Sequence, residues 1–372
     1  MSERIGIGML GYAFMGKAHS LAWRDVPAVG PATLPQPRLV TLWGRQAARL
    51  EEARARYGWE RAAASWEAVV DDPDIAILDN AAPNHLHVEP TLRAAKLGKH
   101  LFCEKPLAPT AAEAHRVWQA AENAGVLHMC LFNYRFMPAI REAKRRIEAG
   151  ELGDILHYRS RFLISSSLSE TRTKAWRDDK AAAGSGALGD LGSHHIDLCR
   201  YLAGEPRRVG AMTRLAVPAD RSGQRIETDD AIVAIAELAN GALATLEASR
   251  VAGGHLVTSD VEIDGTKGSL SFSMQRLNEL RLAGRDGGFR TVPVERPEDP
   301  FYGYWYPAGH PIGWAQSFTH QAIHMLEAVA GHHKIAPLGA TFEDGYRCAE
   351  VTDAILRAAD SGRTETVSYR DR

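Results

Sequence analysis

The chain has 372 residues and a formal net charge of −2, with 45% hydrophobic and 24% charged residues. That length suits two domains of ordinary size, and the composition is that of a globular enzyme with an ample core. A near-neutral balance excludes the global basic field that draws proteins to nucleic acid or an anionic membrane. Cys103, Cys130, Cys199 and Cys348 form no CxxC pair and no zinc-finger spacing with histidine, so reduced thiols are expected. The first residues lead directly into a glycine-punctuated apolar stretch without the marks of a signal peptide. No apolar run reaches the ~20 residues of a membrane span. A cytoplasmic location is the expectation.

Residues 4–10 (RIGIGML) read as a buried strand, followed by a glycine turn and a helix to about Asp25. Strands follow at 38–43, 74–80, 99–103 and 126–132, alternating with helical stretches at 46–57, 86–97 and 110–124. Strictly alternating elements imply a parallel sheet covered on both faces. Beyond residue 134 the texture changes. A basic amphipathic helix at 137–149 precedes strands at 154–164, 207–216, 230–237, 242–249, 258–265 and 268–273, several joined by glycine-containing turns. Helices at 187–203, 313–330 and 342–361 complete the chain, and 217–229 and 284–311 read as loops. The fold expected is an α/β Rossmann domain over 1–134, then an α+β domain over 135–341 with a large, mainly antiparallel open sheet. A C-terminal helix and tail over 342–372 should pack back on the core.

Gly11-Tyr12-Ala13-Phe14-Met15-Gly16 is a variant of GxGxxG at the end of the first strand. The first glycine permits the tight turn, the second position lets backbone approach a pyrophosphate, and the third lets helix pack on strand. Ala13 replaces the second glycine. Peptide N–H groups at the helix start would face the anion. The acid that usually binds the adenosine ribose at the end of the second strand is replaced by Gly44-Arg45. Gly44 leaves space and Arg45 brings charge, so a 2′-phosphate would fit. Equally, Arg45 would stack on adenine or point to water.

Lys105 ends a parallel strand, the edge where ligands bind in α/β sheets, and Pro106 after it suits a cis bond. In the segment 184–197, Ser185 is placed to cap a helix stopped by Gly204. Leu188, Leu191, His195, Leu198 and Leu202 form its buried stripe, and Asp190, His194, Asp197 and Tyr201 share another face. Asp190 and His194 are thus one turn apart. His195 reads as a buried histidine satisfied by hydrogen bonds.

GYAFMGKAHS (11–20), APNHLH (82–87), EKP (104–106), FNYRFMP (132–138), AWR (175–177) and GALGDLGSHHID (186–197) together resemble the Gfo/Idh/MocA family over nearly the whole chain. The wording matches best the branch of levoglucosan dehydrogenase and glycoside 3-dehydrogenases. The resemblance implies a dehydrogenase oxidising a secondary ring hydroxyl, at C3, of a sugar, glycoside or inositol, with NAD as the expected cofactor and NADP left open by the missing acid at Gly44. It implies Lys105, Asp190 and His194 as the catalytic trio. Ala82, Pro83, Asn84, His87, Glu104, Lys105, Asn133, Trp176 and Arg177 would join the glycine turn, Gly44 and Arg45 in holding the cofactor. Tyr134 and Arg135 would lie near the substrate. A homodimer or homotetramer built on the open sheet follows too.

Arg161, Arg172 and Lys174 read either as contacts for an anionic substituent of the substrate or as solvated loop charges, and His310, Trp314 and His320 either as further pocket residues or as core packing. The same residues would serve a glycosidase that retains NAD and oxidises C3 transiently before elimination, water addition and re-reduction. A non-catalytic NAD(P)-sensing protein is the third reading. A metal enzyme is not expected: His194-His195 and His332-His333 are adjacent pairs, which on a helix point about 100° apart.

Overall fold

The computed structural model describes residues 4–370, so the reading of the first three residues lies outside them. The first sheet has six parallel strands in the order β3-β2-β1-β4-β5-β6. They are β1 (Arg4–Leu10), β2 (Gln36–Trp43), β3 (Arg61–Ala62), β4 (Ile77–Asn80), β5 (His100–Cys103) and β6 (His128–Cys130). Helices α1 (Phe14–Val29), α2 (Ala47–Tyr57), α3 (Trp66–Val70), α4 (Val88–Lys96) and α5 (Ala111–Ala124) connect them. Their ends follow local chemistry. Ser65 and Thr110 cap α3 and α5 by accepting from Ala68 N and Glu113 N, and Gly58 and Gly125 close α2 and α5 with left-handed φ. The order reverses between β1 and β4, the switch point where α/β sheets bind ligands.

After α6 (Pro138–Glu148) the chain builds a nine-stranded sheet in the order β14-β13-β12-β11-β7-β10-β9-β8-β15. Its strands are β7 (Ile155–Leu163), β8 (Pro206–Arg214), β9 (Ala231–Leu238), β10 (Leu243–Ser249), β11 (Thr258–Gly265), β12 (Gly268–Ser273), β13 (Glu279–Gly284), β14 (Arg290–Pro293) and β15 (Glu365–Thr366). Every pairing is antiparallel except β7 with β10. The helices α7 (Lys180–Ala183), α8 (Ser193–Leu202), α9 (Gln316–Val329) and α10 (Phe342–Ser361) complete the chain.

Three features depart from the sequence reading. Strands β13 and β14 enter a region where Leu280 and Leu282 alternate inward, so the expected loop begins with a hairpin. Helix α9 packs on α1, and its Ala322, Ile323 and Leu326 share one apolar core with Ile7 and Met9. Thus a helix far along the chain completes the dinucleotide domain. The third departure is at 188–192, which forms a π-helical turn before α8.

The nine-stranded sheet uses its alternation fully. Ile232, Ala234, Ala236 and Leu238 of β9 turn inward, whereas Val233 and Ile235 are exposed on the other face. No helix among the described residues is long and apolar enough to cross a membrane.

Candidate active site

A cavity of about 780 Å³ runs from the C-terminal ends of β1, β2, β4 and β5 to the inner face of the nine-stranded sheet. Its floor is the glycine turn. Gly11 adopts φ +99°, and a Cβ there would stand 2.5 Å from the Ala81 carbonyl oxygen. A Cβ on Gly16 would stand 2.1 Å from the carbonyl oxygen of Gly11, so both positions require glycine. Residues 11–15 line the cavity, and the first turn of α1 carries no acidic side chain. Free N–H groups at a helix start, with no competing carboxylate, suit a pyrophosphate. A dinucleotide therefore fits this cradle.

At the end of β2, Gly44 and Arg45 line the cavity with Arg49. The space at Gly44 is not open, as the sequence reading had it: a Cβ there would be 2.1 Å from the ring of Tyr12, which lies against it. The ring needs glycine beneath it, and only the charge of Arg45 and Arg49 is left at that rim.

Ala82, Pro83, Asn84, His87, Glu104, Lys105, Asn133, Trp176 and Arg177 all line the cavity. Several are fixed by the protein itself. Asn84 Nδ2 donates to Ala183 O at 3.0 Å, and Asn133 Nδ2 to Ser317 Oγ at 2.9 Å. His87 is fully buried with its ring nitrogens 2.8 and 2.9 Å from the carbonyls of Pro106 and Ala82. Burial lowers its pKa, so the neutral ring donates to one carbonyl at a time and lies between the cis Lys105–Pro106 turn and the bend after β4.

Beneath this turn lies a buried group that the sequence reading missed. His19 of α1 donates from Nδ1 to Asp79 Oδ1 at 2.9 Å and from Nε2 to Glu104 Oε1 at 3.1 Å, and Trp23 Nε1 donates to Asp79 Oδ2 at 2.8 Å. Burial opposes protonation of His19, yet Asp79 and then Glu104 outweigh it and raise its pKa to about 10. Glu104 Oε2 in turn accepts from the backbone N–H of Lys105 at 3.1 Å. His19 was legible only as part of the motif GKAHS, because its partners lie 60 and 85 residues away.

Lys105, Asp190 and His194 meet at the inner end of the cavity. Lys105 Nζ donates to the Asp190 carbonyl at 2.8 Å and stands 3.5 Å from its Oδ1. Arg250 Nη2 donates to Asp190 Oδ2 at 2.8 Å, and Arg177 Nε stands 3.8 Å from Oδ1. Burial would raise the Asp190 pKa, but Arg250, Lys105 and Arg177 hold it well below the ordinary carboxylate range. Arg250, at the end of β10, has no neighbour in sequence to mark it.

Asp190 and His194, read as one turn apart on one helical face, are not hydrogen-bonded to each other. The π turn widens the spacing, and the Asp190 carboxylate goes to the three cations. His194 instead stacks on Tyr134, with ring centroids 4.5 Å apart and planes 14° apart. Its Nδ1 is buried without a partner, which leaves Nε2 as the nitrogen open to the cavity. Burial, then the charge of Lys105, push its pKa well below the ordinary value. The turn is held from outside as well. Asp229 accepts from Gly186 N at 2.6 Å and Leu188 N at 2.9 Å, the role assigned in sequence to Ser185. His195 is buried with Nε2 2.9 Å from Ser259 Oγ, and burial takes its pKa down to about 3.

Most of the other residues read as lying near the substrate are placed elsewhere. Arg135 is buried in a two-pronged pair with Asp197, at 2.9 and 2.6 Å. Arg161 alternates onto the outer sheet face and pairs with Asp260, whereas its neighbour Phe162 turns into the cavity. Arg172 is committed to Asp178 and Asp230. Lys174 does not line the cavity, and its backbone N–H goes to Asp220. His310 is exposed and bonded to Pro307 O, and His320 is buried against Trp305 and Phe136 O. Of the aromatic loop only Trp314 reaches the cavity, stacked 5.7 Å from Phe14. The far wall is apolar instead: Phe162, Ile164, Val257 and Met274.

Sheet order, glycine turn and cleft together define a dinucleotide-binding enzyme. Residues 5–132 match the model of the oxidoreductase family with an NAD-binding Rossmann fold, and residues 140–271 that of the GFO/IDH/MocA C-terminal domain. Levoglucosan dehydrogenase of Pseudarthrobacter phenanthrenivorans is 37% identical, covering 96% of each chain. Glucose-6-phosphate 3-dehydrogenase of Bacillus subtilis is 26% identical over 97% of this chain and 98% of that one. A solved levoglucosan dehydrogenase complex with NADH and levoglucosan superposes with a TM-score of 0.94 at 36% identity, covering 99% of this chain and 100% of that one. The chain belongs to the Gfo/Idh/MocA family of NAD-dependent sugar and polyol dehydrogenases.

Proposed function

We propose that this protein oxidises a secondary ring hydroxyl of a sugar or glycoside, at C3, with NAD, and that His194 is its acid/base. The carrying observation is a neutral, cavity-facing imidazole beside a lysine ammonium at the end of a dinucleotide cleft. Bound NAD would accept the hydride from carbon. The proton of the same hydroxyl passes to Nε2 of His194, and the C–O bond becomes a carbonyl. A base must be unprotonated to act, and burial keeps His194 so. Lys105, donating to the same oxygen, stabilises the negative charge that develops there. Asp190 holds the ammonium in place through its carbonyl and carboxylate.

Charge also argues about the substrate. The cations Lys105, Arg177 and Arg250 all face Asp190, and the far wall is apolar. Such a wall suits the C–H face of a neutral pyranose. The active unit is a homo-oligomer joined through the outer face of the nine-stranded sheet.

The test is a panel of free sugars, glycosides and inositols with NAD and NADP, following absorbance at the NADH band and aglycone release together. Reduction of NAD by a neutral sugar or glycoside without aglycone release is expected. Cleavage with no net NADH would move the reading to a glycosidase that retains NAD. Tight NAD binding with no turnover on any substrate would leave a sensing protein.

A further inference from the structure

Helix α9 carries His324 and Glu327 three residues apart, so both project from one face of its last turns. The chain then turns at Gly331 and brings His333 back over that face. One ligand atom each of His324, Glu327 and His333 lies within 4.8 Å of the others. Together they line a cavity of about 270 Å³ that shares no residue with the dinucleotide cleft.

We propose that His324, Glu327 and His333 bind a borderline transition-metal dication, Zn²⁺ first among them. Two nitrogens and one carboxylate, completed by water, is a donor set that zinc accepts. His324 already has one ring nitrogen engaged by the backbone. Its Nε2 donates to the Ile335 carbonyl at 2.8 Å, so Nδ1 carries the free lone pair. A ligating histidine ordinarily has its other nitrogen fixed in this way. Glu327 is held too: Tyr304 Oη donates to its Oε1 at 3.3 Å, while Oε2 stands 3.6 Å from His333 Nδ1. The site also sits at the C-terminal end of α9, where the carbonyl ends of the helix favour a cation.

His333 is the adjustable member. Its ring stacks on His324 with centroids 4.2 Å apart and planes 24° apart. Metal–nitrogen bonds of about 2.0–2.1 Å require that ring to turn about its side-chain bonds. At 34% side-chain exposure it has room to do so. Lys334 borders the same cavity and its charge works against the ion. A bound metal would tie the end of α9 to the 331–334 turn, and so brace a helix that completes the dinucleotide domain from behind.

The experiment titrates Zn²⁺ into the full-length, tag-free chain after chelator treatment, by calorimetry and by competition with a chromophoric chelator. One Zn²⁺ per chain and a saturable rise in Tm are expected. His333→Ala and Glu327→Gln should each weaken binding by at least about tenfold, since even partners one shell removed from a metal are worth 10- to 100-fold. Lys334→Gln should tighten it, and His332→Ala, one residue outside the cluster, should leave it unchanged. Both weakening variants alter partly exposed side chains, and far-UV circular dichroism checks their folding. No saturable site in the wild type, or unchanged affinity in both His333→Ala and Glu327→Gln, overturns the proposal.

Discussion

Arg250 Nη2 lies 2.8 Å from Asp190 Oδ2, although 60 residues separate them in the chain. The pair joins the end of β10 to the π turn that carries Asp190. Arg250 is the strongest of the three cations holding the Asp190 carboxylate ionised. Asp190 in turn positions Lys105. The guanidinium thus acts on the lysine through the carboxylate.

Arg250→Met is therefore expected to cut kcat/KM for the sugar by about 100-fold, the cost of displacing a reacting group by an ångström or so. Dissociation constants for NAD should be nearly unchanged, and Arg250→Lys should recover part of the loss. Steady-state kinetics beside a fluorescence titration with NADH separates these effects. Unaltered sugar kinetics would detach Arg250 from the site.

For His194 the prediction concerns pH. Its pKa is lowered by burial and by Lys105, and the neutral ring is the active form in oxidation. Activity should therefore persist as pH falls through 6.5, the ordinary histidine value, with the acid limb below it. His194→Ala should lower kcat by about 10²–10⁴ while NADH still binds. An acid limb centred above 6.5 that disappears in the variant would contradict the depressed pKa. Wild-type turnover in His194→Ala would remove its role.

What was legible follows from the range of each interaction. The alternation of short apolar runs with helical stretches marked the parallel sheet, because burial on two faces writes itself into consecutive residues. Gly11 and Gly16 were legible because their backbone demands are local. Arg161 was misplaced because strand alternation, not composition, decides which face a basic residue takes. Arg135 was misplaced because its partner Asp197 sits 62 residues away. The π turn at 188–192 depends on Asp229 and on Gly186, where a Cβ would stand 1.9 Å from the Asp229 carbonyl oxygen. Nothing within the helix itself announces it, so a regular spacing from Asp190 to His194 was the natural reading.

His19 yields a stability prediction. Its pKa is about 10 in the folded state against 6.5 unperturbed. Between these values the folded chain holds one proton more than the unfolded chain. This contribution is complete below pH 6.5 and drains away as pH rises through about 10. His19→Asn leaves Asp79 and Glu104 without their shared cation. Breaking a buried pair costs about 3–5 kcal/mol, so the urea midpoint should fall and its decline toward high pH should flatten. The same steep alkaline decline in the variant would place the titrating group elsewhere.

The outer face of the nine-stranded sheet bears the last prediction. Met212 pairs across the strands with Val233, and these side chains are 80% and 58% exposed, with Ile235 at 58% and Leu243 at 53% beside them. Apolar side chains grouped on one exposed sheet face, here interleaved with Thr245 and Glu247, mark an interaction surface. A second copy of the same face is its simplest partner, since self-complementary pairing closes by two-fold symmetry. Val233→Asp with Ile235→Asp places charges at the centre of that patch without touching the inner positions Ile232, Ala234 and Ala236 that form the core. Light scattering should show a wild-type oligomer and a smaller species for the double variant. Phe162 and Arg250 face the cavity on the inner side, so NADH affinity per chain should be retained. Identical mass for both proteins would place the assembly contact, if one forms, on another surface.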